Sequence, residues 1–73
     1  MQDEIKKYTK PLGERIRKLR NDKNLTLQNV CYKNFLEPST LSRIEKGKVE
    51  PKYVTLIRIA KAFDMKVSEL LDF

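Results

Sequence analysis

Short runs of apolar residues spaced three and four apart restrict the fold of this chain more than any other feature. Leu12, Ile16 and Leu19 follow this spacing, and Leu41 and Ile44 repeat it. Residues spaced in this way share one face of an α-helix, so each run predicts a short amphipathic helix. Prolines, glycines and asparagines separate the runs, and such residues begin or end helices. The pattern predicts an all-α fold of five short helices.

The chain has 73 residues, a length that supports one hydrophobic core and therefore one domain. Pro11 has no amide hydrogen to donate within a helix, so it is predicted to end the polar segment before it. We interpret residues 1–11 as an N-terminal arm that either forms a short helix or frays. Residues 12–73 are predicted to form the domain.

Capping residues predict where the middle helices begin and end. Thr26 is placed to cap the second helix, and Pro38 suits the first position of the third, with Glu37 before it as a cap. Gly47 is predicted to stop the third helix. Asn24 is expected in the turn that follows the first helix. Two helices joined by a short turn, at about residues 26–45, form a helix-turn-helix.

Charge indicates the class of partner. Lys and Arg outnumber Asp and Glu by 16 to 10, which gives a net charge of +6. A small basic domain fits an anionic partner, and nucleic acid is the commonest, although basic residues also serve solubility alone. No apolar run approaches the roughly 18 residues of a membrane span, so we expect a cytoplasmic protein without membrane contact.

Residue content argues against an enzyme. The chain has no histidine and a single cysteine, Cys31, which excludes an internal disulfide and a cysteine-based metal cluster. No glycine-rich phosphate loop and no nucleophile beside a base are present, so no catalytic residue, cofactor or metal is expected. Cys31 is predicted to be a small buried side chain.

Four segments resemble the Cro/cI-type (XRE) family of helix-turn-helix regulators. "LGERIRKLR" is similar to the first helix of the family, and "LTLQNV" is similar to its "LTQEELA". "PSTLSRIEKGK" follows the pattern "xSTISRIExGK", and "TLIRIAKAFDM" follows "TLxKIAKALGV". The match runs without a gap over residues 12–71. The resemblance implies a λ-repressor-like fold and a sequence-specific regulator of transcription that binds double-stranded DNA. We expect a repressor that occludes a promoter, although activation is equally compatible with the sequence.

The resemblance makes residues 38–45 the recognition helix, which enters the major groove. Ser39, Ser42 and Arg43 would face the bases, with Arg43 as the main reader of guanine. The alternative is that these are ordinary solvated positions. The resemblance further implies phosphate contacts from hydroxyls and cations around that helix, namely Thr26, Thr40, Lys46, Lys48, Lys52 and Tyr53.

Two further roles follow from the resemblance. Arg20 and Glu45 would form a partly buried ion pair that fixes the recognition helix. A homodimer is expected, because paired half-sites are the common route to specificity. The C-terminal apolar residues would either form the dimer interface or complete the core of the monomer, and they are Val67, Leu70, Leu71 and Phe73.

Several positions depart from the family pattern. Leu27 stands where the family usually has Gln, and Pro38 stands where many members carry a base-reading side chain. Phe35 replaces the usual turn glycine, and Asn34 replaces an apolar residue. These departures leave the fold and the expected function unchanged. The alternative function is a protein-interaction module that kept the fold and lost DNA binding, and Leu27, Phe35 and the C-terminal apolar residues would be its evidence. An antitoxin-like regulator that binds both DNA and a partner protein through the arm is a further option.

Overall fold

Residues 2–73, which are the part of the chain that the structure describes, fold into five helices joined by short turns, as the apolar spacing predicted. The structure is a computed structural model, and its side chains are described from residue 4 onward. Met1, the first residue of the predicted arm, lies outside the described residues. The helices are α1 (Gln2–Asp22), α2 (Leu27–Cys31), α3 (Pro38–Glu45), α4 (Tyr53–Ala62) and α5 (Val67–Leu70).

The prediction that Pro11 ends the arm is wrong, because α1 runs through this proline for 21 residues. A proline inside a helix removes one backbone hydrogen bond and disfavours the turn before it. A tertiary contact supports the helix next to the proline. The Thr9 hydroxyl is buried and donates a hydrogen bond of 2.8 Å to the Gly47 carbonyl oxygen, which ties the arm to the loop after α3. The arm is therefore a continuation of the first helix, and the division at residue 12 stays a prediction.

Local capping explains the start of α2 and its end. The Asn29 amide donates to Thr26 Oγ1, and the Thr26 amide donates to Asn29 Oδ1, each over 3.0 Å, which confirms the predicted cap. At the other end, Asn34 Nδ2 donates to the Val30 carbonyl oxygen over 2.8 Å. This bond satisfies a carbonyl that the helix leaves open, which explains a polar residue where the family has an apolar one.

The core lies where α3 packs against α1 and α2, with α4 packed against α2 and α5. Leu41 and Ile44 of α3 are buried as predicted, and Leu27 packs against the core at half burial. Cys31 is also buried as predicted, and the burial raises the pKa of its thiol, with a smaller contribution from the Glu45 carboxylate. The other buried apolar residues are Ile16, Val30, Ile59, Ala60, Phe63 and Leu70.

The four residues predicted as a dimer interface differ in burial. Leu70 is 0% exposed, so its assignment to an interface is wrong and the alternative holds, namely that it completes the core of the monomer. Val67 is half-buried and packs against the core. Leu71 and Phe73 are exposed and remain available for a contact.

Candidate nucleic-acid interface

Helix α3 presents hydroxyls and one guanidinium on the face opposite its buried residues. Ser39, Thr40 and Arg43 are exposed, while Ser42 is half-buried between the two faces. Pro38 occupies the first turn, as predicted, because a missing amide costs little there. Glu37 stands at the N-cap of α3, as predicted, but its side chain makes no capping hydrogen bond. The exposed face therefore consists of short polar side chains around Arg43.

An ion pair fixes the end of α3 as predicted. Arg20 Nε donates to Glu45 Oε2 over 2.7 Å, and Arg20 Nη2 donates to Glu45 Oε1 over 3.1 Å, which makes a bidentate fork. Arg20 Nη1 also donates to the Leu25 carbonyl oxygen over 2.8 Å. One guanidinium thus joins α1, the residue before the cap of α2 and the end of α3. The hydrogen bond to Glu45 raises the pKa of Arg20, against the opposing effect of burial.

Two glycines allow α1 to approach the end of α3 closely, and Gly13 was not among the predicted site residues. A Cβ atom at Gly13 would lie 2.5 Å from the Glu45 carbonyl oxygen and closer still to that of Ile44. Gly47 has a φ of 72° and ends α3, as predicted. The Lys48 amide then donates to the Arg43 carbonyl oxygen over 3.0 Å. This closing turn sets the direction in which the lysine loop leaves the helix.

Residues from α3, from the loop after it and from α4 form a notch of about 260 Å³ beside the exposed face of α3. Thr40 and Arg43 lie on one side, and Lys52 lies on the other, so a predicted base reader and predicted phosphate ligands come together. Thr55 also lines the notch, and the sequence analysis missed it. The rest of the lining is Ile44, Val49, Glu50 and Pro51.

The other predicted phosphate ligands do not line this notch. Lys46 and Lys48 are exposed in the loop after α3, and Tyr53 is exposed at the start of α4. Thr26 lies apart from them, at the start of α2. An exposed α-helix flanked by cations has the width and the charge that the major groove of DNA accepts.

Among the side chains that the structure describes, those of residues 4–73, no group of three or more Asp, Glu or Cys lies close enough together to hold a metal ion. None of the described helices combines the length and the apolar character that crossing a membrane requires.

Comparison with known proteins agrees with this architecture. A family model described as a helix-turn-helix domain matches residues 13–72. The chain is 31% identical over 61 residues to the HTH-type transcriptional regulator DdrOP3 of Deinococcus deserti. That match covers 84% of this chain and 47% of the relative, so the chain spans about half the length of the relative.

Solved structures also align with the fold. The restriction-modification controller protein C.AhdI of Aeromonas hydrophila aligns with a TM-score of 0.78 at 28% identity, over 82% of this chain and 91% of that one. ComR of Streptococcus suis aligns with a TM-score of 0.81 at 31% identity, over 89% of this chain and 22% of that one. The clp gene regulator ClgR of C. glutamicum aligns with a TM-score of 0.75 at 30% identity, over 82% of this chain and 78% of that one. With the family model covering most of its length, the chain belongs to the helix-turn-helix domain family, in its Cro/cI-type (XRE) branch.

Proposed function

We propose that this protein binds a specific sequence of double-stranded DNA as a homodimer in the cytoplasm and represses transcription by occluding a promoter. The observation that carries the proposal is the exposed face of α3, which the buried Arg20–Glu45 fork holds in a fixed direction. The names of the relatives support it, because DdrOP3 is a transcriptional regulator, C.AhdI a controller protein and ClgR a gene regulator.

In this proposal α3 lies in the major groove and reads bases through its exposed side chains. Arg43 donates two hydrogen bonds to guanine O6 and N7, a pairing worth about 1–3 kcal/mol of discrimination. Ser39 adds a weaker contact near the start of the helix. Ser42 is half-buried, so we assign it the smallest share of the readout.

Phosphate contacts supply the remaining affinity in this proposal. Lys46, Lys48 and Lys52 neutralise phosphates after α3, and each neutralised phosphate releases counterions. The Thr26 hydroxyl oxygen already accepts from the Asn29 amide, which leaves its hydrogen to donate to a phosphate. The Thr40 and Tyr53 hydroxyls are exposed and donate in the same way. These contacts set the register on the duplex and carry no sequence information.

A second candidate function is binding of a partner protein on the same fold, as in an antitoxin-like regulator. Tyr32 and Phe35 favour it, because they are 71% and 85% exposed next to the turn before α3. Exposed aromatic side chains of this size are typical of protein contacts. We rank this candidate second because DNA binding makes use of the whole exposed face of α3 and the lysines beside it.

The test begins with duplexes selected by the protein from a randomised library. Fluorescence anisotropy then compares a selected duplex with a scrambled one at two salt concentrations, for the wild type, Arg43→Ala and Arg17→Ala. Arg17 is a matched control, because it is an exposed arginine on α1. Arg43→Ala is expected to reduce the preference for the selected duplex roughly 5- to 150-fold and to keep salt-sensitive binding to both. Absence of binding to any duplex at low salt would refute the DNA function and favour the partner protein.

A further inference from the structure

An open groove of about 600 Å³ lies between the N-terminal part of α1 and residues 71–73. Ile5 and Tyr8 line it from α1, and Leu71 and Phe73 line it from the other side. These four are half of the eight large apolar or aromatic side chains that are exposed within the described residues. Small-molecule sites occupy about 300–1,000 Å³ and have mainly apolar linings, so the groove has the size and the surface of such a site.

The charged side chains that line the groove are both negative. Glu4 and Glu50 line it, and no described lysine or arginine does, although Lys and Arg outnumber Asp and Glu in the chain by 16 to 10. Neither carboxylate belongs to an ion pair within the described residues. Lys7 Nζ lies 6.0 Å from the ring centroid of Tyr8, but Lys7 is not part of the lining. The groove therefore complements a ligand that carries positive charge.

We propose that this groove binds an organic ammonium ion, that is, a protonated amine with an apolar body. The body packs against the apolar side chains, and the ammonium N–H groups donate hydrogen bonds to Glu4 or Glu50. The rings of Tyr8 and Phe73 are 64% and 61% exposed, and the negative face of an aromatic ring attracts a cation. The volume, the apolar lining and the negative charge thus fit one class of ligand.

Macromolecular partners fit the groove less well. Its lining comprises eleven residues, whereas a stable protein interface takes about 20–30 residues from each side. A second copy of the chain is disfavoured further, because a two-fold contact brings the same two carboxylates of both copies together. The size and the charge therefore favour a small cation over another protein surface.

The α1 side of the groove lies outside the match to the family model. Its six lining residues, between positions 4 and 12, precede residue 13, where that match begins. They belong to the part of α1 that continues through Pro11, and the bond from the Thr9 hydroxyl to the Gly47 carbonyl oxygen holds this part against the domain. The site is therefore an addition of this chain to the family domain.

The groove adjoins the DNA-facing surface, so its ligand can affect the proposed function. Glu50 and Pro51 line both the groove and the notch beside α3. A carboxylate at this place repels DNA phosphates, and an ammonium ion bound to it removes part of the repulsion. We expect saturating amine to tighten duplex binding about 2- to 5-fold. This coupling rests on the proposed function, whereas binding of the amine does not.

Amide NMR titrations of the 73-residue chain without DNA test the site with three probes that share an indole body. Tryptamine carries an ammonium group, tryptophol a neutral hydroxyl and indoleacetate a carboxylate. We expect tryptamine to bind with a Kd of the order of 1 mM and to shift residues 4–12, 50–51 and 71–73. Tryptophol should bind roughly 3- to 10-fold more weakly, and indoleacetate more weakly again.

Variants separate the charge from the apolar surface. Glu4→Gln and Glu50→Gln are each expected to weaken tryptamine binding about 2- to 5-fold and to leave tryptophol binding unchanged. Glu14→Gln is the matched control, because Glu14 is an exposed carboxylate of α1 outside the groove. Tyr8→Ala should weaken the binding of both probes. Circular dichroism melting identifies any variant that fails to fold, and the other variants then carry the test.

Several results would overturn the proposal. They are no saturable binding of tryptamine, equal affinity for tryptamine and tryptophol, and shifts that lie outside the groove. Groove shifts that follow protein concentration without a probe would also overturn it, because they would place a second copy there. Since these titrations contain no DNA, a chain that binds tryptamine but no duplex would refute only the DNA function.

Anisotropy with a selected duplex tests the coupling through Glu50. Tryptamine should tighten binding by the wild type, whereas tryptophol should have no effect. Glu50→Gln should bind the duplex more tightly without tryptamine and respond less to it, because the charge that the amine neutralises is already absent. An equal response of the wild type and Glu50→Gln would refute the coupling.

Discussion

The two ends of helix α3 are supported in different ways. At the C-terminal end, Glu45 accepts the Arg20 fork, and the Ile44 and Glu45 carbonyls lie against Gly13. The hydrogen bonds between Arg20 and Glu45 are partly buried and the contact at Gly13 is buried, and both come from α1, more than 20 residues away in the sequence. The C-terminal end of α3 is therefore fixed by tertiary structure.

The N-terminal end of α3 follows a turn with strained backbone and few buried groups. Lys33 and Phe35 have positive φ values of 65° and 57°, which favour glycine. The Phe35 ring is exposed, and its visible support is Arg58, with Cζ 5.9 Å from the ring centroid and Nη1 3.3 Å from the Phe35 carbonyl oxygen. The entry to α3 is therefore held mainly by local structure.

The difference between the two ends shows how α3 combines a fixed direction with a surface that tolerates substitution. Buried polar contacts with well-defined geometry fix orientation, and their loss is costly. The exposed face and the preceding turn bury little, so substitutions there change recognition at a small cost in stability. We expect the free energy of unfolding to be much more sensitive at the C-terminal end than in the turn.

The largest expected effect comes from breaking the ion pair. Glu45→Ala leaves the Arg20 guanidinium without its carboxylate in a site where the arginine side chain is 14% exposed. Removal of one partner of a buried pair costs about 3–5 kcal/mol, and the residual exposure of Arg20 favours the lower end. Urea denaturation measures the change in the free energy of unfolding.

The double variant Arg20→Met with Glu45→Leu is the control for that experiment. It removes both charges and keeps apolar volume, so it is expected to be less damaging than Glu45→Ala. If the double variant instead lost the sum of what Arg20→Met and Glu45→Leu each lose alone, the fork would contribute little and the C-terminal end would owe its position to apolar packing.

Gly13→Ala tests the backbone contact at the same end. The new Cβ would meet the Glu45 carbonyl oxygen at 2.5 Å, and neighbouring backbone atoms have no flexible side chain to move aside. Overpacking costs about 1–3 kcal/mol, and alanine returns up to about 1 kcal/mol of helix propensity. We expect a net loss of about 2 kcal/mol in thermal or urea unfolding. Glu14→Ala, at an exposed neighbour, should change stability by less than about 0.5 kcal/mol. If Gly13→Ala and Glu14→Ala were equally stable, α1 and α3 would be farther apart at Gly13 than the 2.5 Å contact indicates.

Lys48→Ala tests the loop that leaves this fixed end. If Lys48 contacts one phosphate, its loss weakens binding to every duplex and reduces the salt dependence of log K by about one unit of slope. Lys61→Ala removes an equally exposed lysine in the last turn of α4 and is the control. Anisotropy titrations over several salt concentrations give both slopes. An unchanged slope for Lys48→Ala would remove this residue from the DNA contact.

Apolar spacing and capping residues were sufficient to predict the helices, because they act within one or two turns. Leu41 and Ile44, both buried, illustrate the apolar spacing, and the hydrogen bonds between Thr26 and Asn29 illustrate the capping. The same local argument was wrong at Pro11, since a bond between residues 38 positions apart supports the arm. A local pattern contains no information about such a partner.

The residues of the site also divide into those that could be predicted from the sequence and those that could not. The Arg20–Glu45 pair was predicted through the resemblance to the family, and the structure confirms its geometry. The roles of Ser39 and Arg43 at DNA stay predictions. The packing contact of Gly13 was not predicted, although the sequence contains a signal for it, because a lone glycine inside a helical pattern often marks a close packing contact. The sequence contains no signal that places Thr55 in the notch, because only the fold brings it beside Arg43.

The smallest expected effect is at the N-terminal end, in the turn before α3. Phe35→Gly relieves a positive φ but loses the contact with Arg58, so we expect the stability to stay within about 1 kcal/mol of the wild type. Phe35→Ala is the informative partner, because it loses the same ring and keeps the Cβ atom that strains this conformation. The glycine variant should be more stable than the alanine variant by about 1 kcal/mol in urea denaturation, whereas in an ordinary helix or strand alanine is favoured. If alanine were equal or better, the turn would adopt a different backbone once the ring is removed. The N-terminal end of α3 would then be even less constrained than its φ values indicate.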